Sequence, residues 1–147
     1  MAKRTSKAAL TAAPASHPTL TWIDSGDGTV SDTRTGLMWT KETLPGGRMT
    51  YDEAVKACKV LRLAGYKDWR PATVEEVFAL ADRSRHSPAI DTDLFPDTKS
   101  DWYWTSTLCA WDPSCAWIVC FGYGYALSFR RDYSAFVRAV RSARASQ

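Results

Sequence analysis

The chain has 147 residues, a formal net charge of +3 and 45% hydrophobic residues, enough for one domain that buries a core without metals or disulfides to staple it. So small a charge, with no aromatic-plus-basic RNA motif, argues against a nucleic-acid partner. No apolar run is long enough to span a bilayer, so membrane insertion is not expected.

Residues 1–18, MAKRTSKAALTAAPASHP, read as a flexible Ala/Ser/Pro-rich leader. Only Leu10 is strongly apolar before Pro14, which makes a poor signal peptide. Synthesis in the cytoplasm is therefore expected, with a phage virion or an intracellular assembly as destinations. The leader would serve as an attachment arm to a larger assembly, or a homo-oligomer would supply attachment. The folded domain is placed at 19–144. It opens with short strands at Thr19–Ile23, Thr29–Asp32 and Leu37–Thr40, alternating polar and apolar between Gly/Asp turns. The segment DSGDG (24–28) invites a calcium reading, but it lacks the Asp spacing and terminal Glu of an EF-hand loop, and a tight turn explains it more simply.

Thr50 and Glu53 form a capping-box signal ahead of Ala54, Val55, Ala57, Cys58 and Leu61, which recur at helical spacing; Gly65 is expected to end this helix. Thr73 and Glu76 repeat the signal for a second helix with Val74, Val77, Phe78, Ala79 and Leu80 on its apolar face. Residues 82–101, rich in Pro, Asp and Ser, form a long loop of the kind often tied to function. Strands then follow at Tyr103–Ser106, Trp117–Phe121, Tyr125–Phe129 and Phe136–Arg141, with turns at Asp112-Pro113 and Arg131-Asp132, as a β-meander. The order gives an α+β fold, two helices segregated from a small antiparallel sheet.

The stretch Leu108–Phe136 has an unusual alphabet. Its 29 residues contain no Lys, Glu, Gln or Met, where about 4 would be expected from the rest of the chain. Apart from Trp111 and Trp117, every residue in it can be encoded by a codon ending in C or T, the set that randomising the first two bases of Asn codons would produce. Three of the four Cys lie here, at Cys109, Cys115 and Cys120; the spacing matches no zinc pattern, and His17 and His86 are the only imidazoles, so no metal or cofactor is expected. Free thiols and a Cys109–Cys115 bridge are both compatible with the spacing.

Read together, GDGTVSDTRTGLMW (26–39), YDEAVKACKVLRLAGYKDWR (51–70), TVEEVFALAD (73–82), PAIDTDLFP (88–96), YWTST (103–107), AWIVCF (116–121) and FVRAVR (136–141) resemble the C-terminal domain of the Legionella collagen-like adhesin, also called DUF1566. Pro71-Ala72 departs from the family's usual Leu-Pro, which should shift the turn before the second helix. The resemblance implies a C-type-lectin-like fold. Within that family, residues 103–141 are similar to the variable region of a diversity-generating retroelement target, in which a template RNA is copied with adenine-directed errors. It implies a fixed frame of Tyr103–Thr107, Ala116, Trp117, Val119, Phe121, Gly124 and Val137–Arg141, with the residues between them substitutable.

That reading makes the chain a ligand-binding, receptor-recognition protein and not an enzyme, with an unidentified protein or glycan as its partner. The outward positions would be Leu108, Cys109, Asp112, Ser114, Ile118 and Cys120, then Gly122, Tyr123, Tyr125, Leu127, Ser128 and Phe129, and finally Arg130, Arg131, Asp132, Tyr133 and Ser134. Tyr and Phe give rigid contact area, Ser and Gly adaptability, and Arg and Asp charge complementarity, as in a paratope. Trp102, Trp104 and Trp117 would anchor the interior, with Phe121 and Phe136 completing the core. Trp111, outside the codon set, is expected as a fixed loop residue flanking the surface. Two other classes compete. A fixed-specificity adhesin could meet sulfated glycans through Arg130, Arg131 and Arg138. A formylglycine-generating-enzyme-like oxidase would use Cys115 and Cys120, although no base or oriented acid accompanies them.

Overall fold

A computed structural model describes residues 21–143. The leader, with His17, the first two residues of the expected strand Thr19–Ile23, and residues 144–147 lie outside the described residues. The elements in chain order are β1 (Trp22–Asp24), β2 (Thr29–Asp32), β3 (Leu37–Thr40), α1 (Tyr51–Val60), β4 (Arg70–Pro71), α2 (Val74–Phe78), β5 (Trp102–Cys109), β6 (Asp112–Cys120), β7 (Tyr125–Arg130) and β8 (Ala139–Ser142). The fold is mixed α+β and mostly β, but the strands form two antiparallel sheets instead of one. One has five strands in the order β1-β2-β3-β8-β4 and the other three in the order β5-β6-β7.

Local chemistry accounts for most boundaries. Asp24 accepts from the Gly26 N–H at 3.0 Å, and Asp27 accepts from the N–H and hydroxyl of Thr29, so the DSGDG carboxylates close their own turn. Both helices start on a complete capping box, Thr50 with Glu53 and Thr73 with Glu76. The first helix ends at Val60, earlier than the expected Gly65. Leu61 turns extended there, and Arg62 donates to the carbonyls of Lys59 and Leu61. Ala64 and Gly65, both at positive φ, make the turn between Leu63 and Tyr66, which exchange backbone hydrogen bonds. That is a two-residue type I′ reversal, so Gly65 serves a hairpin turn and not a helix cap.

The last strand is a second correction. It does not extend the meander but crosses to the other sheet, pairing with β3 on one side and β4 on the other. The segment ahead of it links the sheets. Trp104 N–H donates to the Phe136 carbonyl and Phe136 N–H to the Trp102 carbonyl, while Ala135 pairs with Met49 and Leu44 N–H donates to the Val137 carbonyl. Val137 through Arg141 are consecutively buried, as a strand covered on both faces requires. The reversal between β5 and β6 sits at Ala110-Trp111; Asp112-Pro113 already belongs to β6, where the Asp112 carboxylate accepts from the Ser114 N–H and hydroxyl.

The three-stranded sheet separates two hydrophobic clusters. One face carries Trp104, Ala116 and Ile118 against Ala54 and Cys58 of α1. The other carries Tyr103 and Val119 against Val77 of α2, together with Ile90 and Phe95 of the long loop. That loop is tied down: Ala89 N–H donates to the Phe121 carbonyl and Ser87 N–H to the Gly122 carbonyl. Arg138 fixes its far end. The guanidinium is 2% exposed, donates to the carbonyls of Thr40 and Lys41 and to the Thr98 hydroxyl, and stacks 4.8 Å from the Phe95 ring. Burial pulls its pKa below the ordinary arginine value. Arg141 makes a bidentate pair with Asp68 and lies 3.8 Å over the Tyr66 ring. Among the described residues no helix is long and apolar enough to cross a membrane.

Candidate functional site

Side chains along a strand alternate between faces, so the β6–β7 register sorts the restricted-alphabet stretch into two sets. Cys120 with Tyr125, Ile118 with Leu127 and Ala116 with Phe129 share the α1 face. Val119 with Ala126, Trp117 with Ser128 and Cys115 with Arg130 share the α2 face. The frame needs Ile118, Ala116 and Val119, all at 0% exposure. By contrast Tyr123 is 70%, Tyr133 52%, Tyr125 40% and Leu108 38% exposed. Ser114, Arg130, Asp132 and Ser134 are exposed as well, while Asp112, Leu127, Ser128, Phe129 and Arg131 are half-buried.

Four positions expected to point outward do not. Cys109, Ile118, Cys120 and Gly122 are buried. Ile118 lies at the centre of the three-stranded sheet, between Trp104 and Leu127, on the packed α1 face. Cys120 turns its sulfur toward the Gly122 N–H, 3.3 Å away, so the two residues close the β6 end against each other. Cys109 sits under Ser128; burial raises its pKa, and Cys115 and Asp112 add to the rise while Ser128 opposes it. All four cysteines are free thiols. Gly124, at φ +86, is required by space as well as by backbone: a Cβ there would come 3.0 Å from Arg83 and 3.4 Å from Ala89.

The expected anchors divide. Trp104 is buried, with its indole N–H on the Met49 carbonyl at 2.7 Å, but Trp102 and Trp117 are only half-buried. Phe121 is buried and Phe136 half-buried. Trp102 instead links an aromatic run along the α1 face, with ring centroids 5.9 Å from Tyr125 and 5.2 Å from Phe129, which is in turn 5.3 Å from Tyr133. The run joins the β6–β7 turn to the end of β7. Trp111 is 68% exposed and packs edge-on to Trp117 at 5.7 Å, so it belongs to the surface and does not merely flank it.

The charged residues are not equally available. Arg131 is tied to Asp52 at 2.6 Å and to the Pro113 carbonyl, lies 4.7 Å over the Tyr51 ring, and has its pKa raised chiefly by its hydrogen bond to Asp52. Arg130, with Asp132 at 3.4 Å, is exposed. Arg138 is buried inside the loop anchor described above, so of the three arginines offered for sulfates only Arg130 is both exposed and loosely held. Cys115 and Cys120 fall on opposite faces of β6, a separation at odds with a shared paired-cysteine site. His86 is exposed. Among the described residues no group of three or more His, Cys, Asp or Glu is placed to hold a metal ion.

One feature was not legible in the sequence. On the α2 face a cleft of about 590 Å³ opens between Val74, Glu75 and Phe78 of α2, Arg83 of the long loop, and Thr107, Trp117, Tyr125 and Ala126 of the sheet. It is assembled from three distant segments, and no local pattern marks it. A family model described as the Lcl C-terminal domain matches residues 28–141. A comparison with curated proteins gave no match.

Proposed function

Because the chain belongs to the Lcl C-terminal domain family, a surface or adhesin-like type of domain, we propose that it is a receptor-recognition protein of C-type-lectin-like fold. In this reading its C-terminal surface is diversified by a retroelement. The observation that carries the reading is the split within one stretch of restricted alphabet. Tyr123, Tyr125, Tyr133, Arg130 and Asp132 stand outward, while Ala116, Ile118, Val119 and Phe121 hold the frame without them. Exchange of the first group leaves the buried contacts of the second in place. Rigid aromatics beside small polar residues and an exposed Arg–Asp pair form a surface suited to binding protein.

A fixed-specificity glycan adhesin draws less support, since Arg138 is buried and Arg131 is engaged by Asp52. An oxidase would need Cys115 and Cys120 on one side of β6, and the register puts them on opposite sides. The locus tests the proposal. A near-copy of codons 103–141 that differs almost only at adenines, beside a reverse transcriptase gene, is the expected finding. A locus with neither would remove the diversification reading.

A further inference from the structure

Among the described residues, one long edge of the three-stranded sheet is left uncovered. β5 is capped on its outer side, where Trp104 N–H and the Trp102 carbonyl pair with Phe136 and Ser106 N–H donates to the Ala72 carbonyl. β7 closes the sheet order on the other side and pairs with β6 alone. Among the described residues, no backbone hydrogen bond outside that pairing reaches Tyr125–Phe129, so alternate N–H and C=O groups face outward without partners. Proteins normally blunt such an edge with a bulge, a Pro, a Lys or a very short strand. β7 has six residues, YALSFR, with no Pro or Lys, and its register with β6 is unbroken. The β5–β6 pair, by contrast, carries two register shifts.

We propose that β7 takes an extended segment of a protein ligand as a fourth strand, with one bulky apolar side chain of that segment filling the cleft beside α2. The inference rests on the reading of this surface as a recognition site and names how the ligand is held. A strand added along β7 would run beside Ala126, which lines the cleft together with Phe78 and Trp117, so an α2-face side chain of the added strand would reach toward it. Glu75 at that cleft offers an exposed carboxylate to a polar group flanking the apolar residue, while Arg83, held on the Gly124 carbonyl at 3.2 Å and 4.8 Å over the Phe78 ring, forms part of the wall. A second copy of this chain is a poorer occupant. Across a two-fold axis its β7 would bring only Ala126, Ser128 and Arg130 to that face, too little apolar bulk for about 590 Å³. The arrangement suits a diversified surface: main-chain hydrogen bonds supply affinity whatever side chains the variant carries, and Tyr125, Leu127, Phe129 and Arg130 supply specificity.

The test uses the full chain and a phage-displayed library of random linear peptides of about ten residues. A selected peptide is made synthetically and measured by calorimetry and by amide hydrogen exchange. Alternate β7 amides, exposed to exchange in the free protein, should become protected. N-methylation of the peptide nitrogens on one edge should weaken binding roughly tenfold or more, and the same change on the other edge should not. Filling the cleft with Val74→Trp should weaken binding too, with the far-ultraviolet spectrum unchanged. Failure to select any peptide, selected peptides indifferent to N-methylation, or β7 amides unprotected in the complex would overturn the inference. If Tyr123→Ala and Arg130→Ala altered binding while N-methylation did not, the recognition reading would stand and the strand-addition inference would fall. The reverse pattern would leave strand addition standing and remove the variable side chains from recognition.

Discussion

Ile118 and Tyr123 lie five residues apart in the same restricted-alphabet stretch, yet the structure assigns them opposite consequences on truncation. Ile118 is 0% exposed, among the largest fully buried side chains, and packs with Trp104 and Ala116. Ile118→Ala removes three carbons from a site that β5 and β7 hold on both sides, which costs about 2–5 kcal/mol in such cores. At an unfolding entropy of about 2.1 cal/mol/K per residue, a domain of this size should lose roughly 8–20 °C of Tm. Tyr123 is 70% exposed in the β6–β7 turn and makes none of the ring contacts of the aromatic run. Tyr123→Ala should change stability by no more than about 0.5 kcal/mol, or roughly 2 °C. Scanning calorimetry and urea titration of both variants beside the parent would measure the difference. Equal losses in the two variants, or a loss below about 1 kcal/mol for Ile118→Ala, would refute the division of the stretch into frame and surface.

Other consequences are as definite. Arg138→Ala should cost about 3 kcal/mol or more, because the Thr40 and Lys41 carbonyls and the Thr98 hydroxyl lose their shared donor, and limited proteolysis should then cut within 82–101. Burial pushes the Cys58 thiol up to about 12. An unfolded thiol titrates near about 8.5, so the stability this gives is full below that pH and is lost as pH rises toward the folded value. Urea midpoints should therefore fall above pH ~8.5, and fall less in Cys58→Ala. Glu76 behaves oppositely: burial would raise its pKa, but Arg70 and the Thr73 N–H more than offset it and leave it low. Its stabilisation is present above about pH 4.3 and fades as pH drops through the folded value, so Glu76→Gln should lose about 1–2 kcal/mol at neutral pH and show a flatter acid limb. Under native conditions Cys115, the one half-buried thiol, should alkylate before Cys58, Cys109 and Cys120, as peptide mass spectrometry would record.

What could be read from the residues was what local chemistry decides. Both capping boxes stand where Thr50/Glu53 and Thr73/Glu76 placed them, and β2 and β3 match the alternating runs between Gly/Asp turns. Gly65 misled because positive φ ends helices and makes type I′ turns alike; only the Leu63–Tyr66 pairing distinguishes the two. The destination of β8 could not be read, since a consecutive buried run fits any doubly covered strand and its partners β3 and β4 are remote in sequence. Cys109, Ile118, Cys120 and Gly122 were misplaced for a related reason. An alphabet describes how a position can vary, whereas its face depends on strand parity and on a three-residue excursion, Pro113 to Cys115, between the Cys109–Asp112 and Leu108–Ala116 pairs. The cleft beside α2 needed three segments in contact before it existed at all.

The most direct test of the central claim is a saturation library, displayed and sorted for protease resistance, that scores every residue from 103 to 141 for folding. The account predicts that Tyr123, Tyr125, Arg130, Asp132 and Tyr133 accept nearly all substitutions, while Trp104, Ala116, Ile118, Val119, Phe121 and Arg138 accept few. Equal intolerance at the two sets of positions would contradict it.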